Sequence, residues 1–300
     1  MKPPRLKTRV PKKLRILVIG AHPADIFDQS GGTMAHHTKR GDWVGCVVLT
    51  HGARIHDEVI SDHMFRSKQV PEAEKLRKLM GERSDVKANE VRKACAILGV
   101  KDLYFLGEDD AYLQATKENV RKIATLIRAL KPNILLTHFP KEGGGVASPH
   151  SVTGEITMAG AFLAAAVDPG DRNPPHRITQ VFFWGMGAAA VRAHVWGAEG
   201  GFTNDTFVDI TDVVDKKLAA LDCLKSQGYG GAYARKRIEN SDGAFGSEAK
   251  VPYAEGFITW KSATHYYLPV TETDLKVSLE PDHDMMKRMS YMHKDKRPRA

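Results

Sequence analysis

Residues 16–25 read Ile16-Leu17-Val18-Ile19-Gly20-Ala21-His22-Pro23-Ala24-Asp25, and Gly31-Gly32 follow shortly after. A continuous apolar run ending abruptly in His-Pro-x-Asp predicts a buried strand that delivers an imidazole and a carboxylate into the loop at its carboxyl end. In open α/β sheets that edge is where ligands collect. His22 and Asp25 are also the right donor types for a divalent metal.

Outward from this stretch the chain alternates between strand and helix patterns. Leu14–Ala21 and Trp43–Thr50 read as strands, with a helix over Ser30–Arg40 that opens at Gly31-Gly32 and closes at Gly41. His51–Arg66 reads as a loop dense in His and charge, and Pro71–Gly99 as helical with a break near Gly81. Asp102–Leu106 reads as a short strand, Asn119–Leu130 as an amphipathic helix and Asn133–Thr137 as the next strand, running into His138. The succession predicts an α/β fold, a Rossmann-like, mostly parallel sheet flanked by helices.

Composition narrows the class. A chain of 300 residues with 42% hydrophobic residues suits one large α/β domain. The three cysteines, Cys46, Cys95 and Cys223, form no Cys-x-x-Cys pair, so a reducing, cytoplasmic setting is expected. The mid-chain apolar stretch 158–167 is too short to span a bilayer, and no secretory signal is expected. The net charge is +8, of which Lys2, Arg5, Lys7, Arg9, Lys12, Lys13 and Arg15 supply seven, leaving about +1 for the rest of the chain. The basic excess is therefore an arm rather than a nucleic-acid-binding face. The expected organisation is a flexible arm over 1–13, a catalytic domain over 14–270 and an extension over 271–300, with a homo-oligomer as the assembly.

After His138 comes a glycine-rich loop, Gly143-Gly144-Gly145, and then Ser148-Pro149-His150 at the start of an apolar helix. In a parallel sheet the carboxyl ends share one edge, so His150 can return to His22 and Asp25. Two imidazoles and one carboxylate leave positions open for water or substrate, as a catalytic metal site requires. The Gly20 region carries no dinucleotide fingerprint, and no Gly-Lys-Ser/Thr follows the glycine run.

These segments together resemble the PIG-L/LmbE family. Its opening Ala-His-Pro-Asp-Asp corresponds to Ala21–Asp25, its Gly-Gly helix start to Gly31-Gly32, and its His-Pro-Asp-His followed by Thr-Gly to Ala147–His150 with Thr153-Gly154. Val208–Thr211, Lys217, Ser226-Gln227 and Ala254–Phe257 match later family features. The resemblance implies an LmbE-like fold and a metal, zinc or another divalent ion, held by His22, Asp25 and His150.

It also marks departures. The position of the deacetylases' general base is Ala24, and the acid usual after the second strand is replaced by Ala53. The 4-oxalomesaconate hydratase branch of the superfamily shares the Ala before the ligand Asp. That similarity implies hydration of a small unsaturated oxo-carboxylate, with N-acyl hydrolysis by a relocated base as the alternative. The substitute proton carriers are sought in the loop after the second strand, at His51, Asp57 and Glu58. Arg54, His56, Asp110, His138 and His265 are the expected substrate-binding residues, with Arg54 suited to a substrate carboxylate.

Overall fold

The computed structural model describes residues 10–142, 148–185 and 204–293. Among these, seven strands form one sheet in the order β3-β2-β1-β4-β5-β7-β6. The strands are β1 (Arg15–Gly20), β2 (Trp43–Thr50), β3 (Asp102–Glu108), β4 (Ile134–Thr137), β5 (Gln180–Trp184), β6 (Thr206–Asp209) and β7 (Ala254–Thr259). The pairings from β3 through β5 are parallel, whereas β7 runs antiparallel to both β5 and β6. The expected Rossmann-like, mostly parallel sheet is the observed one.

The apolar run of β1 is buried on both faces because helices cover both. Ile16 and Val18, with Val44, Cys46 and Val48 of β2, face α1 (Asp25–Arg40) and α3 (Ala73–Leu98) through Met34, Val91 and Leu98. The alternate residues Leu17, Ile19, Val47 and Leu49 face α4 (Lys117–Leu130) and α5 (Pro149–Ala165) through Ile123, Ile127 and Ile156. Full burial of one such side chain contributes roughly 1.5–3 kcal/mol, so these two layers dominate the stability of the domain.

Three expectations change. Helix α1 begins at Asp25, earlier than Ser30, and Ser30 itself is non-helical (φ −148°, ψ 19°). The second segment of α1 is started by Glu255 of β7, which accepts from the Gly32 and Thr33 amides at 2.8 and 2.7 Å and pairs with buried Lys217 at 2.8 Å. A side chain at Gly32 would meet Ile210, its Cβ lying 2.5 Å from Ile210 Cγ2. Second, the loop after β2 ends at Asp57, because residues 58–67 form α2 (Glu58–Ser67). Only Ile60 of that helix is buried, so it carries no apolar stripe to read. Third, α3 is unbroken at Gly81, where an added Cβ would meet open space.

The carboxyl-terminal part supplies α6 (Val214–Leu221), a 3₁₀ turn at Lys225–Gln227, α7 (Ala232–Asn240) and α8 (Asp242–Ala249). Two further helices, α9 (Glu272–Leu279) and α10 (Asp282–Met289), bury no residue. Arg288 ties α10 to the Lys250 carbonyl. The Gly143–Gly145 run and most of the basic arm lie outside the described residues. Among the described residues no helix is long and apolar enough to cross a membrane.

Candidate functional site

Strand β1 pairs with β2 on one side and β4 on the other, so the chain reverses its direction of travel across the sheet between β1 and β4. That switch point opens a crevice at the carboxyl edge. His22 leaves β1 there, His138 leaves β4, and Asp25 starts α1. His150 stands in the first turn of α5, where Ser148 caps the helix and Pro149 occupies its first position.

The three residues expected to bind metal converge. His22 Nδ1 lies 3.2 Å from Asp25 Oδ2 and 3.2 Å from His150 Nε2, and His150 Nε2 lies 3.6 Å from Asp25 Oδ2. A tetrahedral ion with bonds of about 2.1 Å needs donor atoms about 3.4 Å apart. The observed triangle matches that spacing, and its donor set of two imidazoles and a carboxylate suits zinc or a similar ion. His22 is buried, and its Nε2 meets no hydrogen-bonding partner among the described residues.

The electrostatics favour a cation at this point. Burial alone would raise the Asp25 carboxyl, but the charges of His150 and His22 and hydrogen bonds from His138 and His150 hold it well below the usual carboxylate range. Burial alone would lower His150, yet Asp25 and Glu142 together push it up to about 11. Two carboxylates thus concentrate negative charge on one imidazole.

Glu142 is the residue that sequence reasoning missed. Its carboxylate meets His150 Nδ1 at 2.7 Å and His138 Nδ1 at 2.9 Å, bridging two rings stacked 4.1 Å apart. The hydrogen bonds from the two histidines overcome its burial and hold it at about 2. A carboxylate on the far nitrogen of a ligand histidine fixes its tautomer and ring orientation. The glutamate lies eight positions before His150 in a glycine-rich loop, and no spacing rule marks it. His138 completes the cluster with Nε2 3.1 Å from Asp25 Oδ2.

A cavity of about 550 Å³ opens beside this cluster. One wall comes from the loop after β2 and α2, with Ile55, His56, Glu58 and Ser61, and the opposite wall from Gln227, Gly228, Tyr229 and Tyr233. Ala24 borders it between His22 and Asp25. The His56 ring sits edge-on to His22 at 4.2 Å. Burial, with the charge of His22, lowers His56 to about 4, so the ring is neutral near pH 7.

The remaining expected site residues separate. Asp57 borders the cavity but caps α2, accepting from the Val59 and Ile60 amides, and pairs with Arg83 and Lys87. It is buried, and its oxygens are engaged by the cap and the two cations. Asp110 is also buried and accepts from the Arg54 and Ile55 amides, holding the loop rather than a substrate. Arg54 turns its guanidinium to Asp109 at 2.5 Å, and the cavity wall receives its neighbour Ile55 instead. His51 packs against Asp110 at 3.3 Å and does not border the cavity. His265 is exposed beyond β7 and lies off the cavity wall.

The fold and site define an α/β protein of Rossmann-like architecture with a metal-type donor cluster at its switch point. Residues 17–161 match the family model described as PIG-L, GlcNAc-PI de-N-acetylase. The chain is similar to a 4-oxalmesaconate hydratase of Pseudomonas putida, 27% identical over 215 residues that span 71% of this chain and 74% of that protein. It is also similar to 1D-myo-inositol 2-acetamido-2-deoxy-alpha-D-glucopyranoside deacetylase 2 of Catenulispora acidiphila, 27% identical over 191 residues, 56% of this chain and 59% of that one. Among solved structures its fold is similar to that of the 4-carboxy-2-hydroxymuconate hydratase from Pseudomonas putida KT2440. There the TM-score is 0.66 at 22% identity, covering 85% of this chain and 100% of that one. The named activities of these relatives are enzymatic, hydration in one branch and deacetylation in the other.

Proposed function

We propose that this protein is a metal-dependent hydratase acting on a small unsaturated oxo-carboxylate, of the kind named for the Pseudomonas putida relative. The observation that carries the reading is Ala24: it borders the cavity between His22 and Asp25, where a hydrolytic base is needed, and its methyl group takes no proton. Loss of a general base costs about 10²–10⁴-fold in a reaction that depends on it. Zinc or another divalent ion held by His22, Asp25 and His150 would supply Lewis-acid polarisation of a substrate oxygen and acidify a water.

The chain's own residues supply the rest. Glu142 and His138 keep the His150 and Asp25 donors in register. His56 presents a neutral imidazole to the cavity and takes or returns a proton at a ring nitrogen, with the exposed carboxylate of Glu58 next along the same wall. Tyr229 and Tyr233, packed edge-to-face at 5.2 Å, give the opposite wall an aromatic surface against which a conjugated acid can pack. The reading takes residues 14–270 as the catalytic unit, 271–300 as a C-terminal extension, and a cytoplasmic homo-oligomer as the working form.

A second reading, amide hydrolysis of an N-acetyl sugar, is favoured by one feature of the cavity. Among the described residues its wall holds Ser61, Gln227 and two tyrosines but neither Lys nor Arg, which suits a neutral polyol. One assay separates the two. Metal-loaded protein is offered 4-oxalomesaconate, followed by loss of its conjugated absorbance, and an N-acetylglucosaminyl inositol, followed by release of free amine. Turnover of the acid supports hydration. Amine release without turnover of the acid overturns it in favour of the hydrolase.

A further inference from the structure

The two walls of the cavity come from distant parts of the chain, residues 55–61 and residues 227–233. Beneath both lies one face of α3. Lys87 of that helix is 1% exposed. Its Nζ donates to the His56 carbonyl at 2.8 Å on one side and to Ser226 Oγ at 3.1 Å on the other, with the Ser226 carbonyl at 3.3 Å. Asp57 Oδ2 also lies 3.3 Å from this ammonium.

The flanking turns of α3 reinforce each end of the span. Arg83, one turn before, pairs with Asp57 at 2.9 Å, and Glu90, about one turn after, accepts from Ser226 Oγ at 2.6 Å and from its amide at 3.0 Å. Positions 83, 87 and 90 fall on one helical stripe, so a rigid element carries all three groups. The stripe ends at His56 on one wall and at the turn that begins Gln227–Tyr229 on the other. A fully buried ammonium is costly unless its donors are satisfied, and here they are satisfied only while both walls are in place.

We infer that Lys87 is a positioning residue that locks the His56 wall to the Ser226–Tyr229 wall and so sets the width of the cavity and the place of the His56 ring within it. The catalytic consequence rests on the hydratase reading, in which His56 handles the proton. The coupling of the walls does not. Lys87 holds the His56 carbonyl, the Asp57 carboxylate and Ser226, none of which belongs to the donor cluster, so its removal leaves the metal donors in place.

The test is amide hydrogen exchange on the full chain loaded with zinc, for wild type, Lys87→Met and Ser226→Ala. Methionine keeps the apolar stem of the side chain, one atom shorter, and removes its donors. The expected result for Lys87→Met is a rise in exchange of about fivefold or more in residues 54–57 and 226–229 together, with zinc content and the exchange of β1 and β4 unchanged. Ser226→Ala tests communication across the cavity: exchange rises in residues 54–57, to which Lys87 links Ser226. If Lys87→Met unfolds the chain, Ser226→Ala decides alone. Loosening of residues 226–229 with no change at 54–57 overturns the coupling, as does a Lys87→Met protein in which only one wall changes. In the activity arm, Lys87→Met lowers kcat for the oxo-acid at least tenfold at unchanged zinc content. Absence of any turnover in the wild type refutes the hydratase reading and leaves the exchange result standing.

Discussion

Removing the Glu142 carboxylate is the sharpest probe of the metal centre. Glu142→Ala deletes the acceptors of two histidine N–H groups, at 2.7 Å from His150 and 2.9 Å from His138. A charge-assisted hydrogen bond contributes about 1.5–3 kcal/mol, which sets a ceiling near 6 kcal/mol for the pair. The Glu142 side chain is 27% exposed, so water replaces part of what is lost. The donor atoms of His22 and Asp25 are untouched. The expectation is therefore the range found when a carboxylate behind a ligand histidine is removed, about 10–100-fold in affinity, or about 1.4–2.7 kcal/mol. Glu142→Gln falls between, because an amide oxygen accepts from one histidine while its NH₂ opposes the other. Zinc affinity is read by competition with a chromogenic chelator, with circular dichroism confirming the fold. A Glu142→Ala protein that binds zinc within about twofold of wild type would refute the reasoning.

Other perturbations separate metal, base and scaffold. His22→Ala and His150→Ala each abolish bound zinc, measured by elemental analysis of purified protein. Retention of stoichiometric metal in either variant removes that residue from the donor set. Ala24→Asp places a carboxylate at the cavity between the donors, and amide hydrolysis of an N-acetyl sugar rises by about tenfold or more if a missing base is what limits it. An unchanged rate means that the base already stands elsewhere. Arg128→Met leaves the carbonyls of Leu163, Ala164 and Ala166 and the carboxylates of Asp168 and Asp171 without their buried partner, and costs about 3–5 kcal/mol in chemical denaturation. The same site carries an acid dependence. The Asn173 amide, with Thr125 and Arg128, holds Asp171 well below the usual carboxylate range. Its contribution is thus complete above the unfolded value near 3.9 and is lost as pH falls toward the lower folded value. Between about pH 4 and pH 2 wild type loses more stability than Arg128→Met, and parallel curves would contradict the assignment.

Much of the donor cluster was legible because its signals are local. An apolar run has one way to end at a sheet edge, and His22 and Asp25 are fixed to it by a three-residue separation. His150 was legible for a related reason: Ser148 and Pro149 mark a helix start, and helix starts after parallel strands share that edge. The loop after β2 was harder. His51, Asp57 and Asp110 have the same residue chemistry as His56 and Glu58, and nothing in their order tells which side chains turn inward to cap, brace or pair. Asp57 spends its oxygens on two amides and two cations, while His56 is left facing the cavity.

The motif residues far along the chain show the same division. Gly31-Gly32, Lys217 and Glu255 match as separate pieces of sequence, and the fold brings them into one buried group. Glu255 starts the second half of α1, and Lys217 neutralises Glu255. Their place in the pattern is structural, since none of them borders the cavity.

The sequence by itself determined the α/β alternation, the sheet edge that carries the site and the chemical type of its donors, because periodicity, caps and short motifs act within a few residues. Only the tertiary structure decided that Glu142 clamps two histidines, that Asp57 at the cavity wall spends its oxygens on a helix cap and two cations, and that Lys87 ties one wall to the other. Those outcomes depend on which buried polar group finds its partner across separations of up to 139 residues. Burial makes that pairing obligatory, but it does not write the partner's identity into the local sequence.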